Sequence, residues 1–316
     1  MITALAGGVG GAKLASGLAR VLDATQLSVI VNTGDDFELF GLRISPDIDT
    51  VVYTLAGLAN PETGWGVRGD TFAALDMLGM YGEDKWFQIG DQDFATHIYR
   101  SQRLHAGMTL TQVTAGMARS LGVHANILPM CDEIVATRVS TPNGELAFQD
   151  YFVRRHHTDD VLGVTFSGID RAKVTDAVSS ALEHADTVVL CPSNPIVSIG
   201  PILAVPGIRE RIRGARVPVV AVSPIVGGRA LRGPADHMLK SLGMDSSCVA
   251  VAAMYKDLID GFVIDIADQS LAATIQQMGL RVLVTRTIMA TVEDRQELAQ
   301  AVLEFAHDIG QTGTTV

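Results

Sequence analysis

The first 31 residues contain a strand, a glycine-rich turn, a helix and a second strand, and this order constrains the fold more than any other feature. Residues 2–6 (ITALA) predict a short buried strand, and glycines dominate 7–11. Aliphatic residues then recur at helical spacing over 14–22, before 27–31 (LSVIV) predicts the second strand. A strand–helix–strand unit of this length predicts a parallel sheet.

The rest of the chain continues this alternation. Ser45 suits a helix N-cap and Pro46 the first helical position, so a second helix is expected from there. Further helices are predicted at 70–80, 91–103, 109–120 and 291–306, and further strands at 134–140, 146–153, 161–166, 187–191, 217–222, 248–254, 262–266 and 281–285.

These elements predict an α/β fold, with a doubly wound, mostly parallel Rossmann-like sheet and a helical insertion. We expect one domain over 1–308, with the insertion near 58–125 and a β-hairpin near 134–153. The tail, 309–316, is expected to be flexible.

Composition excludes several functions. A net charge of −11 over 316 residues argues against nucleic-acid binding, which requires Lys and Arg to neutralise phosphates. The three cysteines have no metal-binding spacing, which indicates a reducing compartment. The N-terminal residues do not resemble a signal peptide, and no apolar run approaches ~18 residues, so we expect a cytoplasmic protein without membrane contact.

The glycine-rich segment 7–14 (GGVGGAKL) matches neither common phosphate-binding pattern completely. The Walker pattern ends in Gly-Lys-Ser/Thr, but Leu14 follows Lys13 here; the dinucleotide pattern GxGxxG would need glycine at Lys13. The alternative is a tight turn without a ligand. A lysine in a first helical turn is unfavourable unless an anion compensates it, which favours phosphate binding.

Acidic residues cluster in three turns. Asp35 and Asp36 follow the second strand, Asp47 and Asp49 lie in the first turn of the next helix, and another acidic turn occupies 90–97 (GDQDFATH). Acids in a first turn often only cap a helix. Three acidic turns beside a phosphate-binding loop instead predict Mg²⁺, which takes oxygen ligands and bridges carboxylates to a substrate phosphate.

Two strand exits carry proline and serine. They lie within 187–203 and 217–239, where Asn194 suits an N-cap and Arg229 and Arg232 are available for phosphate. Each could be an ordinary strand-to-helix turn. Since all these turns share one sheet edge with the glycine turn, a nucleotide-binding role is favoured.

Taken together, these motifs resemble the 2-phospho-L-lactate transferase family of coenzyme F-420 biosynthesis, over about residues 3–300. The matching stretches are GGVGGAK, NTGDD, SPDIDTVVYTLAG, Trp65-Gly66 before DTF, GDQDFATHIYRS, ANILPM, FQDYFV, PSNPIVSIGPIL and VSPIVGG with GPA. The resemblance implies transfer of a phospho-three-carbon-acid group from a guanosine diphosphate-linked donor to a ribityl hydroxyl of the deazaflavin Fo, releasing GMP. It also implies Mg²⁺ and a homodimer.

The resemblance further implies roles for individual residues. Asp49 and Gln88 would hold the deazaflavin, Asp35 and Asp49 would bind the metal and act in catalysis, and Asp49 would be the base. The other substrate-binding residues would be Gly7, Gly8, Gly10, Gly11, Lys13, Asp91, Asn194 and Ser198. Gln92 departs from the family pattern, because many relatives carry arginine there.

Two other functions remain open at this stage. One is a nucleotide-sugar-binding regulator of related fold without transferase activity, and the other is a nicotinamide oxidoreductase, against which Lys13 in the last glycine position argues. The sequence does not separate lactate, enolpyruvate and glycerate as the three-carbon group.

Overall fold

The structure, a computed structural model, describes residues 1–313. Its strands are β1 Ile2–Ala6, β2 Leu27–Val31, β3 Phe37–Leu39, β4 Leu42–Ile44, β5 Asn126–Pro129, β6 Ala136–Thr141, β7 Gly144–Ala147, β8 Gly163–Ser167, β9 Thr187–Leu190, β10 Val219–Val222, β11 Ile225–Val226, β12 Arg229–Ala230, β13 Gly261–Asp265 and β14 Arg281–Thr285. Its α-helices are α1 Gly8–Val21, α2 Pro46–Leu55, α3 Ala73–Met80, α4 Asp91–His105, α5 Leu110–Ser120, α6 Asp176–Glu183, α7 Ile199–Ala204, α8 Ile208–Ala215, α9 Ala235–Ser241, α10 Cys248–Tyr255, α11 Ala272–Gln276 and α12 Val292–Gly313.

Seven parallel strands form the central sheet, in the order β14-β13-β10-β9-β1-β2-β5. The predicted doubly wound parallel sheet is confirmed. From β1 the chain first builds outward through β2 to β5, and it later returns to the other side of β1 with β9. The switch point of the sheet therefore lies between β1 and β9, where ligands bind in folds of this kind.

The sheet is covered on both faces, as its nearly all-apolar strands require. Side chains alternate along β1: Leu5 packs into one core, whereas Ala4 and Ala6 pack into the other. The second core also contains Leu14 of α1 and Val302 of α12, so the first and last helices share one layer. Among the described residues, none of the helices combines the length and the hydropathy that crossing a membrane requires.

Smaller sheets decorate this framework. The hairpin β3–β4, which the sequence analysis did not predict, packs on the insertion through a small core of Ile44, Leu75, Ile89 and Phe94. β6 pairs antiparallel with both β7 and β8. The strand predicted at 146–153 is shorter than expected, because β7 ends at Ala147 and Asp150–Arg154 forms a π-helical turn.

One of the predicted strands is a helix. The apolar run 248–254, predicted as a strand, forms α10, because Ser247 caps the helix by accepting the Ala250 N–H at 3.1 Å. α12 continues as far as Gly313, and 314–316 lie outside the described residues, so the flexibility of the tail from 309 stays a prediction. The assignment of 1–308 to one domain stays a prediction.

Candidate active site

The glycine turn lies at the switch point and meets polar side chains from two other turns. Gly7 caps α1, and its backbone N–H donates to Ser193 Oγ at 3.0 Å, while the same hydroxyl donates to Gly7 O at 2.8 Å. The Gly8 N–H donates to Asp47 Oδ1 at 2.7 Å. A Cβ on Gly7 would lie 2.6 Å from Asp47 Oδ2 and 2.7 Å from Ser198 Cβ. Only glycine fits here, and the predicted residues Gly7, Gly8 and Ser198 come together.

Gly10 and Gly11 serve close packing of α1 against the exit of β9. A Cβ on Gly10 would lie 2.3 Å from Pro192 O, and one on Gly11 would lie 2.5 Å from Ser193 Oγ. Asn194 has a local role as well, because its Oδ1 accepts the Ile196 N–H at 2.9 Å. Ligand contacts for Gly10, Gly11 and Asn194 stay predictions.

Lys13 and Arg232 lie near the glycine turn, and Arg295 lies farther along α1, where its backbone oxygen packs against Gly17. Lys13 Nζ donates to Met289 O at 2.7 Å. Burial lowers the pKa of Lys13, and the neighbouring charges of Arg295 and Arg232 lower it further. Arg295 lies on α12, far away in sequence, and no sequence motif pointed to it. Like charges gathered around a helix N-terminus are favourable when an anion lies between them.

Asp35 and Asp47 form a buried pair of carboxylates next to this turn. Asn32 Nδ2 donates to Asp47 Oδ2 at 2.9 Å, yet burial still raises the pKa of Asp47 to about 6. Burial, followed by the charge of Asp47, raises the pKa of Asp35 well above its ordinary value. Asp35 Oδ1 is buried without a hydrogen-bond partner. Two carboxylates in this state would be stabilised by a cation.

Asp36 has partners of its own. Ser45 Oγ donates to Asp36 Oδ2 at 2.6 Å, and Arg43 lies 3.3 Å from the same oxygen. Burial raises the pKa of Asp36 to about 6 despite these contacts. Asp36 therefore joins the start of α2 to the β3–β4 hairpin.

Asp49 faces a different group of side chains. It forms an ion pair with Arg100, which is fully buried, and its Oδ2 lies 3.7 Å from His97 Nδ1. His97 Nε2 lies 3.8 Å from Asp93 Oδ1, and Tyr53 donates its hydroxyl to that oxygen at 2.8 Å. The donor atoms of Asp49, Asp93 and His97 are close enough together to hold a metal ion.

The charges of His97 and Arg100 decide how well this second group would bind a metal ion. Burial lowers the pKa of His97 to about 4, so the ring is neutral at pH 7. Arg100 Nη1 lies 3.2 Å from His97 Nδ1, and because a guanidinium only donates, Nδ1 accepts and the ring proton lies on Nε2. The positive charge of Arg100 already neutralises Asp49. This group therefore suits a cation less well than Asp35 and Asp47 do.

A cavity of about 470 Å³ adjoins the second group. Trp65 and Phe72 contribute exposed aromatic surface, and Asp93 lies in the lining. Gln88 is exposed and donates to Lys85 O at 3.2 Å, outside this lining. Gln92 is exposed too, and its side chain does not line the cavity.

Asp91, predicted to bind substrate, caps a helix. Its carboxylate accepts the Ala74 N–H at 2.8 Å and the Ala73 N–H at 3.1 Å, which are in the first turn of α3. The hydrogen bond from Thr71, followed by that from Ala74, lowers the pKa of Asp91. A carboxylate with these partners stabilises α3, and its contact with substrate stays a prediction.

Known structures share this fold. Two crystal structures of one Bacillus halodurans protein, described as a member of the UPF0052 family, align with TM-scores of 0.61 and 0.65 at 15% identity. Each alignment covers 96% of this chain and 98% of the other. Fold and site together define a doubly wound α/β protein whose polar turns meet at the switch point of its sheet.

Sequence comparison then identifies the family. The family profile described as 2-phospho-L-lactate transferase CofD matches residues 2–305. A phosphoenolpyruvate transferase from Kitasatospora aureofaciens is 43% identical over 315 residues, covering 98% of each chain. A 2-phospho-L-lactate transferase from Methanosarcina acetivorans is 40% identical over 299 residues, covering 95% of this chain and 97% of that protein. The chain belongs to the CofD family of transferases of coenzyme F-420 biosynthesis.

Proposed function

We propose that the chain transfers a phospho-three-carbon-acid group, 2-phospho-L-lactate or a close analogue, from a guanosine diphosphate-linked donor to the ribityl hydroxyl of Fo. GMP is the leaving product. The observation that carries this proposal is the 2.7 Å hydrogen bond from the Gly8 N–H to Asp47, because it joins the predicted phosphate-binding turn to the acidic turns. Membership of the CofD family supports the same reaction.

The donor diphosphate would lie at the start of α1. The N–H groups of Gly7 and Gly8 already donate to Ser193 and Asp47, so the phosphate oxygens would take the N–H groups that follow them in the first turn of α1, whose N-terminus favours an anion. Lys13 and Arg232 are the cations that would face it, and Arg295 adds its charge beside Lys13. Displacement at a diphosphate depends mainly on positioning and on neutralising charge, and these groups supply both.

The residues present fit Mg²⁺. The buried oxygen of Asp35 without a partner, next to Asp47, forms the all-oxygen donor set that this ion prefers. Asp35 and Asp47 would therefore hold the ion, which supplies charge neutralisation for the diphosphate. The pairing of Asp35 with Asp49 as metal ligands stays a prediction from the sequence. In this proposal Asp47 takes the place of Asp49.

Fo would enter the cavity between Trp65 and Phe72, where a flat ring system can pack against aromatic surface. Its ribityl oxygen attacks the phosphorus that carries the three-carbon group, while the bond from that phosphorus to GMP breaks. Asp49 takes the hydroxyl proton on Oδ2, which has no hydrogen-bond partner. Arg100 holds the other oxygen of Asp49 and so orients the carboxylate.

Turnover with defined substrates tests the proposal. Fo is incubated with Mg²⁺ and guanylylated lactate, enolpyruvate and glycerate in equal amounts, and products are identified by mass spectrometry. A phosphodiester of Fo, with GMP released in equal amount, is the expected result, and its mass identifies the preferred three-carbon group. Binding of both ligands without product would instead indicate a nucleotide-sugar-binding regulator. The homodimer stays a prediction from the resemblance, and the cytoplasmic location stays a prediction from the composition and sequence patterns.

A further inference from the structure

Residues 60–69, here called the cavity loop, contact both halves of the proposed site. Trp65 and its neighbours line the acceptor cavity. The same loop approaches the glycine turn at Gly64, where a Cβ would lie 2.8 Å from Val9 Cγ1 and 3.0 Å from Arg232 Nη1. Gly64 also has a φ of +79°, which favours glycine. The cavity loop therefore lines the acceptor cavity and also lies next to the glycine turn, where the donor would bind.

The cavity loop is held together by its own hydrogen bonds. The Asn60 N–H donates to Gly66 O at 3.0 Å, and the Gly64 N–H donates to Asn60 O at 2.8 Å. At its base, Ala59 and Val67 form an antiparallel bridge. These bonds hold the shape of the loop, and buried Val67 anchors its base, so the tip at 60–66 depends on contacts with other parts of the chain for its position.

Arg232 connects the cavity loop to the rest of the chain by hydrogen bonds. Its Nη2 donates to Glu62 O at 3.1 Å, and its Nη1 donates to Thr63 O. Within 1–313, the hydrogen bonds described between residues 60–66 and distant parts of the chain come from this guanidinium. The charge of Arg232 also contributes to lowering the pKa of Lys13, so both cations lie within reach of one diphosphate.

We propose that Arg232 is a positioning residue that couples the two substrate sites. Bound donor diphosphate draws the guanidinium away from the two carbonyls, and the cavity loop is then free to admit the acceptor. The direction follows from charge, because a diphosphate offers the guanidinium full negative charges and bidentate hydrogen bonding, whereas a backbone carbonyl offers only a dipole. This inference rests on the proposed function, and it implies that the donor binds before Fo.

Stopped-flow fluorescence of Fo tests the coupling, with guanosine diphosphate as the probe for the donor. In the natural protein, saturating guanosine diphosphate should raise the association rate constant of Fo about five-fold or more. In Arg232→Ala, association should already be this fast without the nucleotide, and the nucleotide should add nothing. Fast association of Fo with Arg232→Ala is measured without nucleotide, so this result does not depend on whether the variant binds the nucleotide.

Two more variants separate the effect of the hydrogen bonds between Arg232 and the cavity loop from the effect of the Arg232 charge. Arg232→Lys keeps the charge near Lys13 but loses the fork that spans two carbonyls, so Fo should associate as fast as with Arg232→Ala. Gly64→Ala should push the loop off Val9 and give the same result. Arg119→Ala is the matched control, because Arg119, on α5, is also exposed and, within the described residues, has no hydrogen bond to the cavity loop.

An association rate that is the same in the natural protein and Arg232→Ala without nucleotide overturns the coupling. So does a natural protein in which guanosine diphosphate leaves that rate unchanged. Either result, obtained with a protein that turns over Fo, refutes only the coupling. Absence of turnover refutes the proposed function itself, so the two failures are distinguishable.

Discussion

Replacing Gly7 by alanine is the sharpest perturbation of the donor half of the site. The added methyl group would lie 2.6 Å from Asp47 Oδ2 and 2.7 Å from Ser198 Cβ. Asp47 is held by Asn32 and by the Gly8 N–H, and Ser198 is buried at the start of α7. Neither neighbour can give way without moving a backbone segment of the site.

The size of the effect follows from this overpacking. An extra methyl group in a well-packed position typically costs about 1–3 kcal/mol. If the strain is relieved by displacing Asp47, donor binding weakens by roughly 5- to 150-fold, since about 1.4 kcal/mol corresponds to a factor of ten. The acceptor cavity has other walls, so the KM for Fo should change little.

The assay combines nucleotide titration with turnover. Guanosine diphosphate binding is measured by calorimetry, and KM values are determined for each substrate with the other saturating. Gly214→Ala is the control, because a Cβ on Gly214, in α8, would have no atom within 4 Å; it should leave kinetics unchanged. If Gly7→Ala binds the nucleotide like the natural protein, the glycine turn does not contact the donor.

Three further results are expected. Asp49→Asn should lower turnover by about 100-fold or more, as loss of a general base does, and near-normal turnover would reject Asp49 as the base. A chelator should stop turnover and Mg²⁺ should restore it, with Asp47→Asn requiring more Mg²⁺; inhibition that Mg²⁺ fails to reverse would speak against the metal. Burial and the charge of Asp49 raise the pKa of Asp93 from 3.8 to about 7, so the folded state holds this proton more tightly than the unfolded state. Stability should therefore fall as the pH rises from about 4 to 7, and urea titrations should show a smaller fall for Asp93→Asn; equal slopes would contradict the raised pKa.

Sequence patterns predicted the parallel sheet, because βαβ units and short aliphatic runs identify most of its strands. The apolar run at 248–254 was wrongly predicted as a strand, because an apolar segment of that length suits a buried helix as well as a strand. α10 is in fact buried on the side that holds Cys248, Val251 and Ala252.

The candidate site was predictable only in part. Asp47 and Asp49 were treated as one acidic turn, but residues two apart on a helix lie about 200° apart around its axis. Asp47 therefore contacts the glycine turn, whereas Asp49 contacts Arg100 of α4. This separation could have been read from the spacing. The approach of Arg295 to Lys13 could not, because it depends on the packing of α12 against α1.

The central position of β1 has a consequence for biosynthesis. β1 pairs on one side with β9, and the Gly7 backbone is bonded twice to Ser193, 186 positions further along the chain. The glycine turn cannot reach its final geometry until Ser193 has been translated. Contacts so distant along the chain slow folding and leave apolar strands exposed in the nascent chain. Chaperones should therefore engage the segment around β1 and β2 during synthesis.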